Sequence, residues 1–387
     1  MVVAGEPSGD LHLSKLVQEM GRRTKHLIHF FGIAGPRTEA AGGEVVVPME
    51  KMAVMGIVEI FRHFPFLYGV LRRMRRELRN NPPDMLLLVD YPGFNLLLAK
   101  SAKELGIPVL YYIGPQLWAW RSGRIHKIAR RVDYMAVIFP FEVPYYAVAG
   151  VPVRFVGHPL VGKVEADSTH EEARIKIGVD PEKKTIGLFP GSRIGEVERV
   201  LGDLLETAEE MLRRCPDVQF VLSRAPELPA TIFSPVTDFG SLPLTVVTGE
   251  AHTAIQACDV IATVSGTVTL EIALLDRPLV VVYRTSPLSY WVLNKLIRIP
   301  SVSLVNIVAE CEVVPELLQE EVTASNIVSN LLPLLEDGVE RSQMMAGLGE
   351  VREKLGNGNA ASNLADWIDE LLDLVPRLFD EKPQRAG

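Results

Sequence analysis

The chain has 387 residues, too many for one compact core, so we expect two domains. It is 48% hydrophobic and 23% charged and has no apolar run of the roughly 18 residues that a membrane span needs, which excludes a helical membrane protein. The net charge of −8 is unevenly divided, because residues 1–160 hold 20 Lys and Arg against 13 Asp and Glu, whereas the remainder holds 20 against 35. This asymmetry predicts an anionic partner for the N-terminal half.

The start of the chain and its cysteines indicate a cytoplasmic protein. Residues 1–10 contain neither a basic segment nor a long apolar one, so they do not form a secretory signal. The first strand, at Val2, is so short that we expect the native start to lie a few residues upstream. Cys215, Cys258 and Cys311 lack the spacing of a metal site and are predicted to be core thiols in a reducing compartment.

The N-terminal half alternates short apolar strands with helices. Its first strand leads into the turn of residues 4–10, which contains Glu6, Ser8, Gly9 and Asp10 and does not match the GxGxxG dinucleotide fingerprint. Further strands are predicted at residues 28–31, 44–47, 85–89, 109–113 and 136–139, and helices at residues 11–20, 124–131, 141–149 and up to residue 105. This alternation favours a doubly wound parallel sheet.

Residues 57–80 combine aromatic and basic side chains. Between Phe61 and Arg79 the segment contains Phe61, Phe64, Phe66, Leu67 and Tyr68 beside Arg62, Arg72, Arg73, Arg75, Arg76 and Arg79. Aromatic rings that enter the headgroup boundary, flanked by Arg that pairs with lipid phosphates, are typical of an interfacial membrane site. The alternative is a core-facing helix with a solvated basic face. Nucleic acid is a weaker third hypothesis, because the rest of the chain is acidic and no binding motif accompanies the patch.

Asp90 follows the wholly apolar strand predicted at residues 85–89. Ligands of doubly wound sheets bind at the carboxyl ends of strands, where a carboxylate can act as a general base. The alternative is an Asp that caps the following helix. Further along, Trp118 and Trp120 share one loop, and exposing them is costly unless something covers them.

The C-terminal half repeats the same alternation after a polar linker predicted at residues 167–178. Strands are predicted at residues 185–189, 218–222, 244–247, 260–263 and 279–283, and helices at residues 196–214, 252–257 and 267–275. The turn of residues 190–193 frees backbone N–H groups and ends in the cation Arg193, an arrangement suited to phosphate.

Residues 260–284 form a predicted βαβ unit with a phosphate-sized turn at its centre. Ser265, Gly266 and Thr267 offer two hydroxyls and unpaired backbone N–H groups for a pyrophosphate. Glu271, one helical turn later, can accept hydrogen bonds from a ribose diol. The alternative is an ordinary N-capped helix with a solvated Glu271.

Taken together, the motifs resemble the lipid-A-disaccharide synthase family, bacterial glycosyltransferases of the GT-B fold. In the family's order over nearly the whole chain run VAGEPSGD at 3–10, GIAGPR at 32–37, AVMGIVE at 53–59, VDYPGFN at 89–95, LWAWRSGRIHKIAR at 117–130, FVGHPL at 155–160, LFPGSR at 188–193, SGTVTLE at 265–271, VVYRTSP at 281–287, VSLVNIVAE at 302–310 and VPELLQEE at 314–321. The resemblance implies an α/β protein with two Rossmann-like, doubly wound domains that face each other across a cleft. We expect them at residues 1–165 and 166–345, with C-terminal helices at 346–387 that pack back on the first.

The resemblance also implies substrates and residue roles. The donor is UDP-2,3-diacylglucosamine, the acceptor is 2,3-diacylglucosamine 1-phosphate, and the reaction inverts the anomeric centre. Asp90 becomes the base, Arg193 a partner of the UDP phosphates and Asn306 a further catalytic residue. Ser265, Gly266, Thr267 and Glu271 fall where UDP lies, and Glu6, Ser8, Gly9 and Asp10 fall on the acceptor side. No cofactor is implied and, because no DxD motif is present, no metal. The expected location is the cytoplasmic face of the inner membrane. A second copy of the chain, forming a homodimer, is a further partner under consideration.

The chain departs from the family pattern at three places, one of which is the shortened first strand. Gly93 replaces the second Asp after the strand, and Ala309 to Val314 reads AECEVV where the family has AGRELV, so Glu310 and Cys311 replace a Gly and an Arg. Two alternatives to the synthase stay open. One is another UDP-sugar enzyme of this fold, such as a cell-wall transferase or an epimerase. The other is a non-catalytic peripheral membrane protein.

Overall fold

The computed structural model describes residues 1–23, 27–52, 57–115, 125–286 and 301–374, without the side chains of residues 57–64 and 374. Two compact units contain these residues. The first consists of Met1–Pro159 with the described residues from 357 onward, and the second is Leu160–Gly356. Each is built on one parallel β-sheet.

The sheet of the first unit has the strand order β3, β2, β1, β4, β5, β6, β7. The strands are β1 (Val2–Ala4), β2 (Phe31–Ala34), β3 (Glu44–Pro48), β4 (Leu86–Val89), β5 (Val109–Tyr112), β6 (Tyr134–Val137) and β7 (Val153–Phe155). The helices between them are α1 (Pro7–Gly21), α2 (Pro36–Ala40), α3 (Ile57–Asn80), α4 (Pro92–Glu104), α5 (Ile125–Ala129) and α6 (Glu142–Val148). The central strands are apolar throughout because helices cover both faces of the sheet.

One of these covering helices comes from the far end of the chain. Helix α14 (Ala360–Leu374) lies beside α1, where Trp367 packs edge-to-face on Tyr134 with ring centroids 6.0 Å apart. The guanidinium of Arg154 lies 5.0 Å from the centre of the Trp367 ring, and Asn363 Nδ2 donates to the Val156 carbonyl oxygen at 2.9 Å. The last helix therefore completes the core of the first unit.

The sheet of the second unit has the order β10, β9, β8, β11, β12, β13. Its strands are β8 (Lys184–Phe189), β9 (Val218–Arg224), β10 (Leu244–Thr248), β11 (Val260–Val264), β12 (Leu279–Tyr283) and β13 (Glu316–Leu318). Its helices are α7 (His170–Ile177), α8 (Ile194–Arg214), α9 (Ala251–Ala257), α10 (Val268–Leu274), α11 (Leu304–Ala309), α12 (Ala324–Leu335) and α13 (Val339–Lys354). In both sheets the second and third strands lie on one side of the first strand. The fourth strand lies on its other side, and the remaining strands follow in order.

Some predicted boundaries are wrong, and glycine and proline explain the clearest cases. Strand β2 is Phe31–Ala34 rather than residues 28–31, and it contains Gly32, which lies so close to β1 that a Cβ there would be 2.0 Å from the Val2 carbonyl oxygen. Glycine is rarely found inside strands, so Gly32 weakened the sequence prediction here. The close approach of β2 to β1 is what requires a glycine at this position. Helix α1 begins at Pro7 rather than Leu11, since proline fits the first helical position. The strand predicted at residues 136–139 is Tyr134–Val137.

The polar linker predicted at residues 167–178 is wrong, because most of it is helix α7. Thr169 Oγ1 accepts a hydrogen bond from the backbone of Glu172, whose carboxylate accepts one from the Thr169 backbone at 2.8 Å, which forms a capping box. Arg174, on the buried face of α7, donates to Asp259 at 2.6 Å. The polar composition of the segment reflects a capped helix with a buried ion pair.

The prediction of three core thiols is confirmed only for Cys258. Cys215 is partly exposed and Cys311 is exposed. Trp118 and Trp120, the pair predicted to need a cover, lie outside the described residues.

Candidate active site

The second unit has a concave pocket where its strand order reverses. Strands β8 and β11 are neighbours in the sheet although β9 and β10 lie between them in the chain. The turns that follow their carboxyl ends, residues 190–193 and 265–267, therefore come together, at the usual ligand position of such sheets. The pocket between these turns has a volume of about 390 Å³.

The predicted nucleotide residues lie together in this pocket. Its lining includes Gly191, Arg193, Ser265, Gly266, Thr267 and Glu271. Gly191 has a φ of +106°, which favours glycine, and it lets the turn pack against β11, where a Cβ would meet the Val264 side chain at 3.0 Å. Among the described residues, no atom lies within 4 Å of a Cβ built on Gly266, so that backbone faces open space there. The turns leave room for a ligand against the main chain.

Arg193 supplies the exposed positive charge at this pocket. It precedes the first residue of α8, a long helix whose buried stripe fixes it on the sheet. Its side chain is 81% exposed, and its guanidinium pairs with Glu196 at 2.7 Å. A surface pair of this kind contributes at most about 1 kcal/mol, so the guanidinium can turn toward an anion at little cost.

Glu271 has a partner that sequence reasoning missed. His252, at the start of α9, lies 3.4 Å from its carboxylate. The hydrogen bond to Glu271 raises the pKa of His252, although burial opposes the shift. The separation of 19 positions hides this pair in the sequence, and only the neighbouring positions of α9 and α10 reveal it.

Asn306, predicted to be catalytic, lies in a buried network next to the pocket. Its Oδ1 accepts from the backbone N–H groups of Val313 and Val314, at 2.8 and 3.0 Å. Its Nδ2 donates to the Val314 carbonyl oxygen and to the Glu316 carboxylate, both at 2.8 Å. The amide is thus fully engaged in joining α11 to β13.

The first unit reverses its strand order between β1 and β4, and there it presents carboxylates. Asp90 follows β4, and Glu6 follows β1. Asp90 and Tyr91 both have left-handed backbones, with φ of 48° and 47°. Such neighbouring conformations are costly outside glycine and persist where the surroundings enforce them.

Two side chains enforce the turn at Asp90. The Asp90 carbonyl oxygen accepts hydrogen bonds from Asn95 Nδ2 at 2.7 Å and from the Tyr111 hydroxyl at 2.6 Å. The ring of Tyr91 lies against Gly5, where a Cβ would be 2.6 Å from it. Sequence reasoning missed Tyr91 and Tyr111, because neither was recognised as a candidate catalytic or binding residue.

The electrostatics of this turn suit a base. Partial burial raises the pKa of Asp90, against a lowering hydrogen bond from the Tyr91 backbone. Desolvation, and next the charge of Asp90, raises the pKa of Glu6. A carboxylate with a raised pKa accepts protons more readily at neutral pH.

The other residues predicted on the acceptor side have different settings. Ser8 is exposed in the first turn of α1, while Gly9 is buried beside Ala4. Asp10 is buried, and its carboxylate accepts from the backbone of Gly35 at 2.8 Å and from the Thr38 hydroxyl at 2.6 Å. Asp10 thus holds the start of α2.

The basic segment of α3 divides into a buried stripe and an exposed one. Val70, Leu71, Met74 and Leu78 are buried in the core, as the core-facing alternative expects. Arg75 donates to Ser101 at 2.8 Å, whereas the other four arginines from Arg72 to Arg79 are exposed. Phe66 and Tyr68, near the aromatic end, are 40% and 52% exposed. The side chains of Phe61, Arg62 and Phe64 lie outside the description.

Two features are absent from the described residues. None of the helices in that part of the chain is long and apolar enough to cross a membrane. Nor do the residues that the structure describes include a group of three or more His, Cys, Asp or Glu side chains placed to hold a metal ion.

Solved structures with this architecture define the class of protein. UDP-GlcNAc 2-epimerase from Neisseria meningitidis, solved with UDP-GlcNAc bound, matches with a TM-score of 0.63 at 12% identity over 95% of this chain and 99% of its own. The calicheamicin glycosyltransferase CalG4 matches with a TM-score of 0.60 at 16% identity over 97% of each chain. The fold is the GT-B fold of glycosyltransferases and sugar epimerases.

Sequence comparison then separates these activities. The family model described as lipid-A-disaccharide synthetase matches residues 1–365. The lipid-A-disaccharide synthases of Geobacter metallireducens and Geobacter sulfurreducens are 49% and 46% identical over 96% of this chain and 97% of theirs. The chain belongs to the lipid-A-disaccharide synthase family and is a glycosyltransferase of lipid A biosynthesis.

Proposed function

We propose that the chain transfers 2,3-diacylglucosamine from its UDP conjugate to 2,3-diacylglucosamine 1-phosphate, with the two reversal points dividing the chemistry. The pocket of the second unit binds the UDP moiety, and Asp90 of the first unit activates the acceptor. The observation that carries this assignment is the setting of Asp90, a half-buried carboxylate with a raised pKa at a strand's carboxyl end.

The proposed reaction is a single displacement. Asp90 takes the proton from the acceptor hydroxyl as its oxygen attacks the anomeric carbon of the donor. The bond from that carbon to the UDP oxygen breaks, and its electron pair leaves with UDP. Attack opposite the leaving group inverts the anomeric configuration. UDP gains negative charge as it leaves, and Arg193, an exposed cation that lines the pocket, supports the proposal that this charge is neutralised there.

Glu6 has a supporting role in this scheme. Its carboxylate lies close enough to Asp90 to feel the charge of that residue. The family pattern has a second Asp after the strand, and this chain has Gly93 there instead. The charge of Asp90 adds to burial in raising the pKa of Glu6, so Glu6 holds a proton more readily when Asp90 is ionised.

The same proposal places the enzyme on the membrane surface, because both substrates carry acyl chains that remain in a bilayer. The support is the exposed stripe of Arg72, Arg73, Arg76 and Arg79 beside Phe66 and Tyr68. Each Arg near an anionic surface contributes about 1 kcal/mol, and the aromatic rings add apolar area. Together these terms support reversible attachment at the cytoplasmic face.

The test is to incubate the purified protein with both acylated sugars and measure disaccharide and UDP. We expect equal amounts of the two products. A reaction without the acceptor is the control, since UDP release there would indicate hydrolysis or elimination of the donor. UDP-GlcNAc serves as a second donor, and its conversion in place of the acylated sugar would favour an epimerase.

A further inference from the structure

The carboxylate of Glu316 binds the backbone of a segment that lies next to the pocket. Glu316, in β13, accepts hydrogen bonds from the backbone N–H groups of Val302 at 2.8 Å and Ser303 at 2.9 Å. It also accepts from Asn306 Nδ2 at 2.8 Å. Three donors on one carboxylate over-determine the position of the segment that leads into α11.

That segment touches the pocket through one hydrogen bond. The Ser265 hydroxyl donates to the Val302 carbonyl oxygen at 2.6 Å, and Ser265 lies in the turn that lines the pocket. Both polar groups of the Val302–Ser303 peptide, called the Val302 peptide below, are therefore used, because its carbonyl accepts from Ser265 and its N–H, that of Ser303, donates to Glu316. The peptide joins the buried network of Asn306 to the turn.

We infer that Glu316 is a positioning residue for nucleotide binding, which it supports through the Val302 peptide and Ser265. This inference rests on the proposed nucleotide pocket. It also explains how Asn306 can matter for activity while its amide is fully engaged. Asn306 acts through Glu316 and the segment that Glu316 holds, without touching the substrate.

The mechanism is one of preorganisation. With its hydroxyl held by Val302, the Ser265 side chain keeps one orientation, and the 265–267 turn presents its N–H groups in a fixed geometry. A turn that is already ordered loses less conformational entropy when an anion binds. Loss of the Glu316 carboxylate frees Val302 and loosens the turn, so nucleotide affinity falls although no nucleotide contact has been removed.

The experiment is a double-mutant cycle on UDP affinity, measured by titration calorimetry well below the unfolding temperature. Glu316→Gln keeps the shape but places an amide against donors, and we expect UDP to bind on the order of 10-fold more weakly. Ser265→Ala also weakens binding. Because the two act through one peptide, the double variant should bind about as weakly as the weaker single variant. Glu320→Gln, an exposed carboxylate four residues away, is the matched control and should leave the affinity unchanged.

The outcomes separate this inference from the proposal on which it rests. Wild-type protein that does not bind UDP would overturn the nucleotide pocket and the inference with it. Two other outcomes would overturn the inference alone, provided that the wild type binds UDP. One is a UDP affinity of Glu316→Gln that is no lower than that of Glu320→Gln. The other is a double variant whose loss of affinity is the product of the losses in Glu316→Gln and Ser265→Ala. General destabilisation would lower the unfolding temperature without producing this coupling.

A second measurement needs no variant and applies even where Glu316→Gln does not fold. Saturating UDP should slow amide hydrogen exchange of residues 301–306 in the wild-type protein, since ligand binding at the 265–267 turn restrains the peptide that Ser265 holds. Unchanged exchange in that segment at saturation would show that it is not linked to the pocket.

Discussion

At the reversal of strand order, the first unit presents two carboxylates, Glu6 and Asp90, whereas the second presents a glycine- and hydroxyl-rich pocket with the cation Arg193. The strand order is the same through the first six strands of each sheet, so topology brings a pair of loops together in both. The side chains on those loops then decide the chemistry. One point suits taking a proton, and the other suits holding a leaving anion.

The two points also differ in how their backbones are held. At Asp90 two non-glycine residues adopt left-handed conformations that Asn95 and Tyr111 enforce. At the second point the positive φ falls on Gly191, and glycine adopts this conformation at no steric cost. A base must be aimed within a few tenths of an ångström, whereas a phosphate cradle mainly needs exposed N–H groups.

The strongest test of this division removes the proton acceptor. Asp90→Asn should slow turnover by about 10²–10⁴-fold, the usual range for loss of a general base. Asn also tolerates a left-handed backbone, so we expect the fold to persist, as circular dichroism would check. Product formation under saturating donor and acceptor measures the loss. Near-normal turnover would remove Asp90 from the mechanism and make Glu6 the first candidate to test.

Removal of the cation tests the other point. Arg193→Ala should cost about 2–4 kcal/mol of transition-state stabilisation, since charge develops on departing UDP. The comparison is between values of kcat/KM. Arg213→Ala is the matched control, because Arg213 lies at the opposite end of the same helix and pairs with Glu210 in the same i,i+3 arrangement. Equal effects of the two substitutions would make Arg193 a structural residue.

Two histidines allow a comparison of the acid response of the units. Burial, and next the charge of His12, lowers the pKa of His158 from 6.5 to about 4. Between these values the unfolded chain binds a proton that the folded chain does not, so the first unit loses stability as pH falls through this window. His252 has a raised pKa, and its contribution is present below its unfolded value and lost at higher pH.

We therefore expect acid to loosen the first unit before the second. Hydrogen exchange of the β4 and β5 peptides at pH 7 and pH 5, corrected for intrinsic rates, measures the free energy of opening. The free energy of opening should fall between pH 7 and pH 5, and this fall should be smaller by about 2 kcal/mol in His158→Gln than in wild type. His252→Gln is the control and should not reduce that fall. An unchanged fall in His158→Gln would show that other groups set the acid response.

The membrane surface supplies the smallest expected effect per residue. Replacing Arg72, Arg73, Arg76 and Arg79 with Gln should weaken binding to anionic vesicles by about 1 kcal/mol per residue at low salt, and salt should release the wild type. Arg75 is left in place because it is bonded to Ser101. Turnover of a water-soluble substrate should survive. Arg213→Gln, on an exposed face of the second unit, is the control, and equal vesicle binding by the quadruple variant would leave the basic stripe a solvated face.

The fold class, most elements and the two groups of loop residues follow from the sequence alone. Apolar strands such as β4 and β11 are unambiguous because both faces of a parallel sheet are buried, and ligand loops follow their carboxyl ends. The motifs were specific enough to identify the family before any geometry was known. Boundaries failed where a glycine served close strand approach, as at Gly32, and where a capped helix resembled a linker, as in α7.

What each candidate residue contacts became clear only from the tertiary structure. Asp10 and Asn306 both stand in motifs, yet their buried polar groups are used in holding α2 and β13. His252 and Glu316 stand in no predicted role, yet they contact Glu271 and the Val302 peptide. A motif records that a polar residue is needed at a position. Whether that residue faces a ligand or a backbone depends on groups distant in the chain, which meet only when the sheet and its helices have packed.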